Sequence, residues 1–232
     1  MTTVAIMQPT YLPWCGYFDL LDQADVFVLL DTVAVSKQSW QTRNRIRARD
    51  GNVVWLSVPI NASQGALIKD VVIANKQWAG KQRRTIESAY GHAPWWGHIS
   101  ELLMASDPWP FRRLCDVTVP LIREIASKIG IGELRSKVVL ASTLGVSSVD
   151  PIGRLRDICS AVEATEYLSP EGARGYLEGH DIGVPIRWHE YEHPVYDQGG
   201  AEFVSHLSVV DLLAWHGPAS LDIIRSGRNG VA

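Results

Sequence analysis

Val4-Ala5-Ile6-Met7-Gln8-Pro9-Thr10-Tyr11-Leu12-Pro13-Trp14-Cys15-Gly16-Tyr17-Phe18 is the stretch on which the fold turns. Its first four residues are apolar and read as a short buried strand. Gln8-Pro9 ends that strand, because proline has no N–H for a ladder and holds the residue before it extended. Thr10 to Gly16 make a stiff loop. From Tyr17 the apolar residues Phe18, Leu20, Leu21 and Ala24 follow at helical spacing. Val26 to Asp31 is a second strand, continuous in apolar residues as a parallel strand covered on both faces should be. Residues 4–31 therefore predict a βαβ unit. Such a unit aims its loop and its helix N-terminal N–H groups at a ligand beyond the C-terminal ends of the strands.

Outward from that unit, Val53 to Ile60 predicts a third strand and Ile68 to Ile73 a short fourth. A helical block rich in Trp spans about 78–130, with Gly91 and Gly130 as helix stops. Strand character returns at 137–141, followed by a helix over 151–164 and a very short strand at 166–168. Ser169 as N-cap and Pro170 at the first helical position open a helix that Gly179 ends. Val184 to Tyr191 predicts a last strand and Ser208 to Trp215 a final amphipathic helix. The fold class is α/β: a parallel-rich, HUP/Rossmann-like sheet flanked by helices. Residues 1–232 read as one domain, with the helical block as insertion or subdomain.

A hydrophobic content of 46% with 20% charged residues suits a globular chain with a sizeable core. The net charge of −3 gives no overall pull toward nucleic acid or anionic membrane, so neither is expected as a partner and a small-molecule substrate is. Sixteen of the 22 basic residues are Arg, the better fork for carboxylate or phosphate. Cys15, Cys115 and Cys159 are widely spaced and form no CxxC, which suits a reducing compartment. With no apolar run near the ~20 residues of a bilayer span and no secretory-type N-terminus, a cytoplasmic location is expected.

His189-Glu190-Tyr191-Glu192-His193 matches the H-E-x-x-H zinc signature letter for letter. The signature needs a helix, where positions i and i+4 share a face. Pro185 and Pro194 bracket the segment and Val184, Ile186 and Trp188 alternate, which predicts an extended chain with its two imidazoles roughly 13 Å apart and no shared metal. Cys15 lies in the opening loop, where it could serve as a nucleophile, but it carries no nucleophile signature and reads first as a small buried hydrophobe. Trp40, Arg43, Asn44 and Arg45 mix guanidinium forks, an amide and an aromatic face. They read either as a solvated basic loop or as a clamp for phosphate or carboxylate with Trp40 stacked on a ring. Ser169 to Arg174, with Gly172 in its first turn, reads as an anion-accepting helix start or as an ordinary cap. His193 to Gln198, with Tyr196, forms a polar aromatic loop suited to a lid or to specificity.

Taken together, these residues resemble the WbqC-like family. The matching features are Met7-Gln8-Pro9 with Pro13, Gly16, Tyr17 and Phe18; Asp31; Trp40 with Arg43-Asn44-Arg45-Ile46; and Trp55-Leu56-Ser57-Val58-Pro59 with Trp78. Further on come Glu166-Tyr167-Leu168-Ser169 with Gly172-Ala173-Arg174 and Tyr176-Leu177, then His193-Pro194, Tyr196 with Gln198, and Leu207-Ser208 with Asp211-Leu212-Leu213. The resemblance implies a role near polysaccharide or specialised-metabolite pathways, adding amino-acyl or acyl groups to amino sugars. The opening loop is also similar to the strand-loop-helix H-x-G-H region of nucleotidyl transferases and acyl-adenylate ligases. Trp14 and Tyr17 (Pro13 and Gly16 in the other register) stand where histidines would be expected.

The expected function is amide formation by a cytoplasmic enzyme, an ATP-dependent ligase or an acyl or aminoacyl transferase. It would place an amino-acid (glycyl among others) or acyl group on an amine of an amino sugar or small metabolite. In this scheme ATP, with Mg2+, activates the carboxylate as an acyl-adenylate, or the donor arrives activated. Gln8, Pro9, Gly16, Tyr17, Arg45, Ser169, Gly172 and Arg174 would hold the cofactor, and Arg43 would neutralise phosphate. Asp31 would orient the amine, and His193 would act as general base, since His titrates nearest working pH. Trp40, Asn44, Tyr196 and Gln198 would bind substrate. The alternative is a non-catalytic binding protein for a nucleotide-sugar or a biosynthetic partner enzyme.

Overall fold

The computed structural model describes residues 1–36, 38–75, 77–105, 113–132, 137–200 and 202–228. The chain runs β1 (Thr3–Met7), α1 (Cys15–Gln23), β2 (Val26–Leu29), β3 (Arg43–Arg47), β4 (Val53–Ser57), β5 (Ile60–Asn61) and β6 (Val72–Ile73). Helices α2 (Trp78–Tyr90), α3 (Trp96–Ala105) and α4 (Leu114–Lys128) follow, then β7 (Lys137–Leu140), α5 (Pro151–Ala161) and β8 (Glu166–Pro170). The chain ends with α6 (Arg174–Leu177), β9 (Ile186–His189), α7 (Val209–His216) and α8 (Ser220–Arg225).

The main sheet has five strands in the order β7-β2-β1-β8-β9, every pair parallel. Period-two alternation divides each central strand between two cores. Ala5, Phe27, Leu29 and Leu168 face one core, with α1, α2, α4 and α7 packed over it. Val4, Ile6, Val28 and Tyr167 face the other, covered by Leu155, Ile158 and Cys159 of α5 together with Leu177 and Ile182. Burial on both faces is why β1 and β2 read as continuous apolar runs. By order along the chain the five strands run third, second, first, fourth, fifth. The direction of strand addition therefore reverses between β1 and β8, and ligands of open α/β sheets bind in the crevice outside such a reversal.

Three expectations need correction. The predicted third strand is not in the main sheet. Residues 53–57 pair antiparallel with β3, Arg45 opposite Trp55, as a separate hairpin, and the Arg43 segment is strand, not loop. Residues 68–73 give a 3-10 turn at Ile68–Asp70, with β6 pairing antiparallel to β5. Ser169 and Pro170 complete β8 and start no helix: Pro170 is extended at φ −62° and ψ 141°, a 3-10 turn covers Glu171–Ala173, and α6 is four residues long. The fixed φ of proline suits an extended chain as well as a first helical turn, and hydrogen bonding to β9 decided between them.

Candidate functional site

The loop after β1 is built around a strained residue. Leu12 is fully buried with φ +47°, a left-handed conformation that costs a non-glycine residue energy. Asn44 holds it there from β3: its Nδ2 donates to the carbonyls of Leu12 at 2.6 Å and Tyr11 at 3.3 Å. The Trp40 carbonyl accepts from the Tyr11 N–H at 3.0 Å. Gln8 accepts from Gln41 at 2.6 Å through its side-chain oxygen, and its carbonyl accepts from the Tyr17 hydroxyl at 3.2 Å. Pro9 is buried beneath the loop.

That loop delivers Trp14 to the N-cap of α1. A Cβ on Gly16 would stand 2.3 Å from the Trp14 indole, so Gly16 is small in order to seat this ring. The first turn of α1, with Cys15, Gly16 and Tyr17, is buried. Burial pushes the Cys15 thiol well above its ordinary range, which removes the thiolate a nucleophile needs.

Around Trp14 gather side chains from the loop after β9. His193 stacks on it with ring centroids 5.9 Å apart, His206 stacks at 5.0 Å and Tyr191 meets it edge-on at 5.7 Å. His193 and His206 are 4.8 Å apart, and Phe203 and Tyr196 close the far side of His193. The Pro194 carbonyl, which can only accept, lies 2.9 Å from His193 Nδ1, so Nδ1 carries the proton and Nε2 keeps its lone pair. Nε2 is buried with no hydrogen-bond partner among the described residues. Burial lowers the His193 pKa, and His206 works in the same direction against the Pro194 hydrogen bond. His206 is also lowered, by burial and then by the Arg45 charge.

β3 lies alongside. Its residues alternate: Asn44 and Ile46 point inward, and Arg43, Arg45 and Arg47 share the outer face. Arg43 sits 4.2 Å over the Trp55 ring, and Arg45 is 5.9 Å from both Trp40 and Trp55. Trp40 and Trp55 lie 5.6 Å apart, and each is close to half exposed. Arg45 donates to the carbonyls of His206 at 3.2 Å and Ser205 at 3.4 Å, and Arg47 to that of Glu202 at 2.7 Å. Among the described residues none of the three has a carboxylate partner within ion-pair distance.

The remaining site residues sit as follows. Asp31 is buried past the end of β2 with both carboxylate oxygens engaged, by the Ser142 N–H at 2.9 Å and hydroxyl at 2.6 Å. It thereby fixes the turn after β7. Ser169 is buried in β8. Gly172 has open space around it, and Arg174 forks onto Glu171 at 2.6 and 2.9 Å while lying 4.6 Å over Trp188. Gln198 bonds the backbone of Val204 through both ends of its amide, each at 2.9 Å. Tyr196 donates to Asp211 at 3.0 Å. The structure thus brings together Gln8, Pro9, Asn44, Arg45, His193 and Tyr196 around the opening loop. Asp31, at the end of β2 beside that loop, spends its carboxylate on Ser142, and Arg174 is already neutralised by its neighbour.

The model of the WbqC-like protein family matches residues 8–223, spanning every element of this site. The chain belongs to that family. It is 30% identical over 234 residues to the uncharacterized protein Rv1507c of Mycobacterium tuberculosis, covering 97% of this chain and 98% of that one. No solved structure matches.

Two features of this WbqC-like chain were not legible as sites. Asp211 is fully buried on α7, accepting from Tyr90 at 2.8 Å and from Tyr196, and burial pushes its pKa up to about 6. It borders a pocket of about 230 Å³ with Arg47, Gln198 and Trp215. A carboxylate inside the apolar run Val209-Val210-Asp211-Leu212-Leu213 was the available signal, since a buried charge must find partners. Asp19 is the second. It accepts from Arg228 at 2.6 Å and Gln23 at 2.7 Å and pairs with His189 at 2.7 Å. Of the two histidines of the H-E-x-x-H string, His189 ends β9 and His193 lies in the loop after it, and they turn to different partners, Asp19 and Trp14. Among the described residues no three His, Cys, Asp or Glu side chains group as a metal site.

As for a nucleotide, the N-terminus of α1 is covered by Trp14, and Arg174 is paired with Glu171. The un-neutralised guanidinium groups of β3 and the open rings of Trp40 and Trp55 are the residues that fit phosphate and base.

Proposed function

We propose that this chain is a cytoplasmic enzyme that forms an amide, moving an amino-acid or acyl group onto an amine of an amino sugar or small specialised metabolite. His193 is the observation that carries the reading. An amine must lose a proton as its nitrogen bonds to the acyl carbon, and a neutral imidazole with a fixed tautomer and a bare Nε2 is suited to take it. The leaving group departs with the electron pair of the broken acyl bond. Arg45, tied to the His206 carbonyl beside His193, favours negative charge developing on the acyl oxygen or the leaving group. ATP, where it is the activator, supplies a phosphate leaving group for the carboxylate, and Arg43, Arg45 and Trp40 are the residues suited to hold it.

The test is amino-acid-dependent exchange of labelled pyrophosphate into ATP, followed by amide formation with an amino-sugar panel. Exchange in the parent protein, with amide formation lost in His193→Gln, supports the reading. No exchange and no amide product with any pre-activated donor rejects it. The exposed Trp40–Trp55 pair beside Arg43 favours a second reading, a non-catalytic binder of a nucleotide-sugar. Saturable nucleotide-sugar binding without turnover would select it.

A further inference from the structure

Beneath the opening loop lies a cavity of about 120 Å³. Its walls are the strained Leu12, Tyr11, Trp78 of α2, Leu103 of α3, and Val117 and Leu121 of α4. Among the described residues, two long polar side chains line it, Gln82 and Arg83, both from α2. The Gln82 amide is oriented by the Ser57 carbonyl, to which Nε2 donates at 3.1 Å. Its Oε1 is therefore the other end, buried with no donor among the described residues. A buried acceptor without a donor is costly, and a ligand carrying N–H groups relieves that cost. Arg83 is exposed, and no described carboxylate lies within ion-pair distance of it.

An apolar chamber, an orphan acceptor and a free guanidinium together match one ligand class. We infer that this cavity binds a small aliphatic α-amino acid. Its side chain fills the space between Leu12, Val117 and Leu121, its ammonium donates to Gln82 Oε1, and its carboxylate meets Arg83. The inference deepens the amide-forming reading by naming the donor, and rests on it only for what happens to the amino acid after binding.

Binding is therefore measured without turnover, by calorimetry on the full chain with L-valine, L-leucine, glycine and D-valine. L-valine or L-leucine should bind, and D-valine and glycine should bind at least about tenfold more weakly. Isobutylamine, which lacks the carboxylate, and isovalerate, which lacks the amine, should each lose about tenfold or more, the scale of one charge-assisted hydrogen bond. Gln82→Met and Arg83→Ala should lose affinity by the same factor while keeping the parental melting temperature. Leu103→Phe, which fills the chamber, should abolish binding and retain the fold. Failure of all four amino acids to bind at millimolar concentration, or unchanged affinity in Gln82→Met, overturns the inference. Binding without amide formation would reject the catalytic reading alone, and amide formation from a donor that ignores Gln82→Met and Leu103→Phe would reject the pocket alone.

Discussion

His189 and His193 stand four residues apart, and their surroundings are opposites. His189 belongs to a saturated network. Asp19 receives His189, Arg228 and Gln23, while Asp22 receives the fork of Arg225 at 2.7 and 2.9 Å and a further contact from Arg228. Each of these groups has a partner, and the network ties α1 to β9 and to the C-terminal helix. His193 belongs to an unsaturated one: among the described residues its Nε2 has no partner, nor has the Nε of Arg45, which reaches the His206 carbonyl, and its neighbours are rings and a backbone carbonyl. Saturated buried polar groups hold a fold together. Unsaturated ones are tolerated where something else is to be bound.

Breaking the saturated network should have the largest effect on the fold. Asp19→Ala leaves His189 and Arg228 without their carboxylate, and removing one partner of a buried pair costs about 3–5 kcal/mol. A chemical denaturation series should show that loss, against a smaller one in Asp19→Asn, which keeps an acceptor. His193→Gln should do the reverse: activity falls about 10²–10⁴-fold, the range of a lost general base, with the denaturation midpoint little changed. The same contrast is visible in pH. Because burial lowers the His193 pKa, the active neutral form persists below the ordinary histidine range, and kcat/KM should reach its plateau at a more acidic pH than an unperturbed imidazole would give.

Asp211 gives the comparison its third point, a buried carboxylate that is satisfied and still displaced. Its pKa of about 6 in the fold lies above the unfolded value of 3.8, so the folded state holds the extra proton between these pH values. Stability contributed by that proton is complete below about pH 4 and lost as pH rises through about 6. Asp22, lowered by its arginines, has the opposite slope, contributing stability at neutral pH that disappears on acidification. Asp211→Asn should flatten the downward slope between pH 4 and 6 and leave the acid loss due to Asp22 intact.

The sheet was legible because burial on both faces writes itself as unbroken apolar runs, as in Val26 to Leu29. The hairpin was not, because Arg43-Asn44-Arg45-Ile46-Arg47 alternates basic with buried residues and only one of the buried ones is apolar. Asn44 is 2% exposed because its amide replaces the hydrogen bonds that the turning loop cannot make for itself. Asn44→Ala, leaving two buried carbonyls short, should cost about 1–3 kcal/mol and loosen Leu12. His193 was singled out in the sequence by its chemistry alone, and the structure places it against Trp14. His206, which stacks on the same Trp14 ring, lies in a polar loop without periodic signal and was missed.

The smallest expected effect separates local charge from a site. Gly172 and Arg174 read in sequence as an anion-accepting turn, yet the turn is short, Ser169 lies back in the strand, and Arg174 has its Nε and one terminal nitrogen on Glu171. Both partners of this pair are exposed to solvent, where pairing competes with water and salt. Arg174→Ala should therefore produce no resolvable change in melting temperature. Its effect on nucleotide affinity is the informative part. If phosphate rests on the un-neutralised arginines of β3, Arg174→Ala leaves affinity as it was, Arg43→Ala weakens it about tenfold, and Glu171→Gln changes nothing. If the loop after β8 holds phosphate instead, ligand must displace Glu171. Glu171→Gln should then tighten binding, Arg174→Ala should weaken it, and Arg43→Ala should be silent.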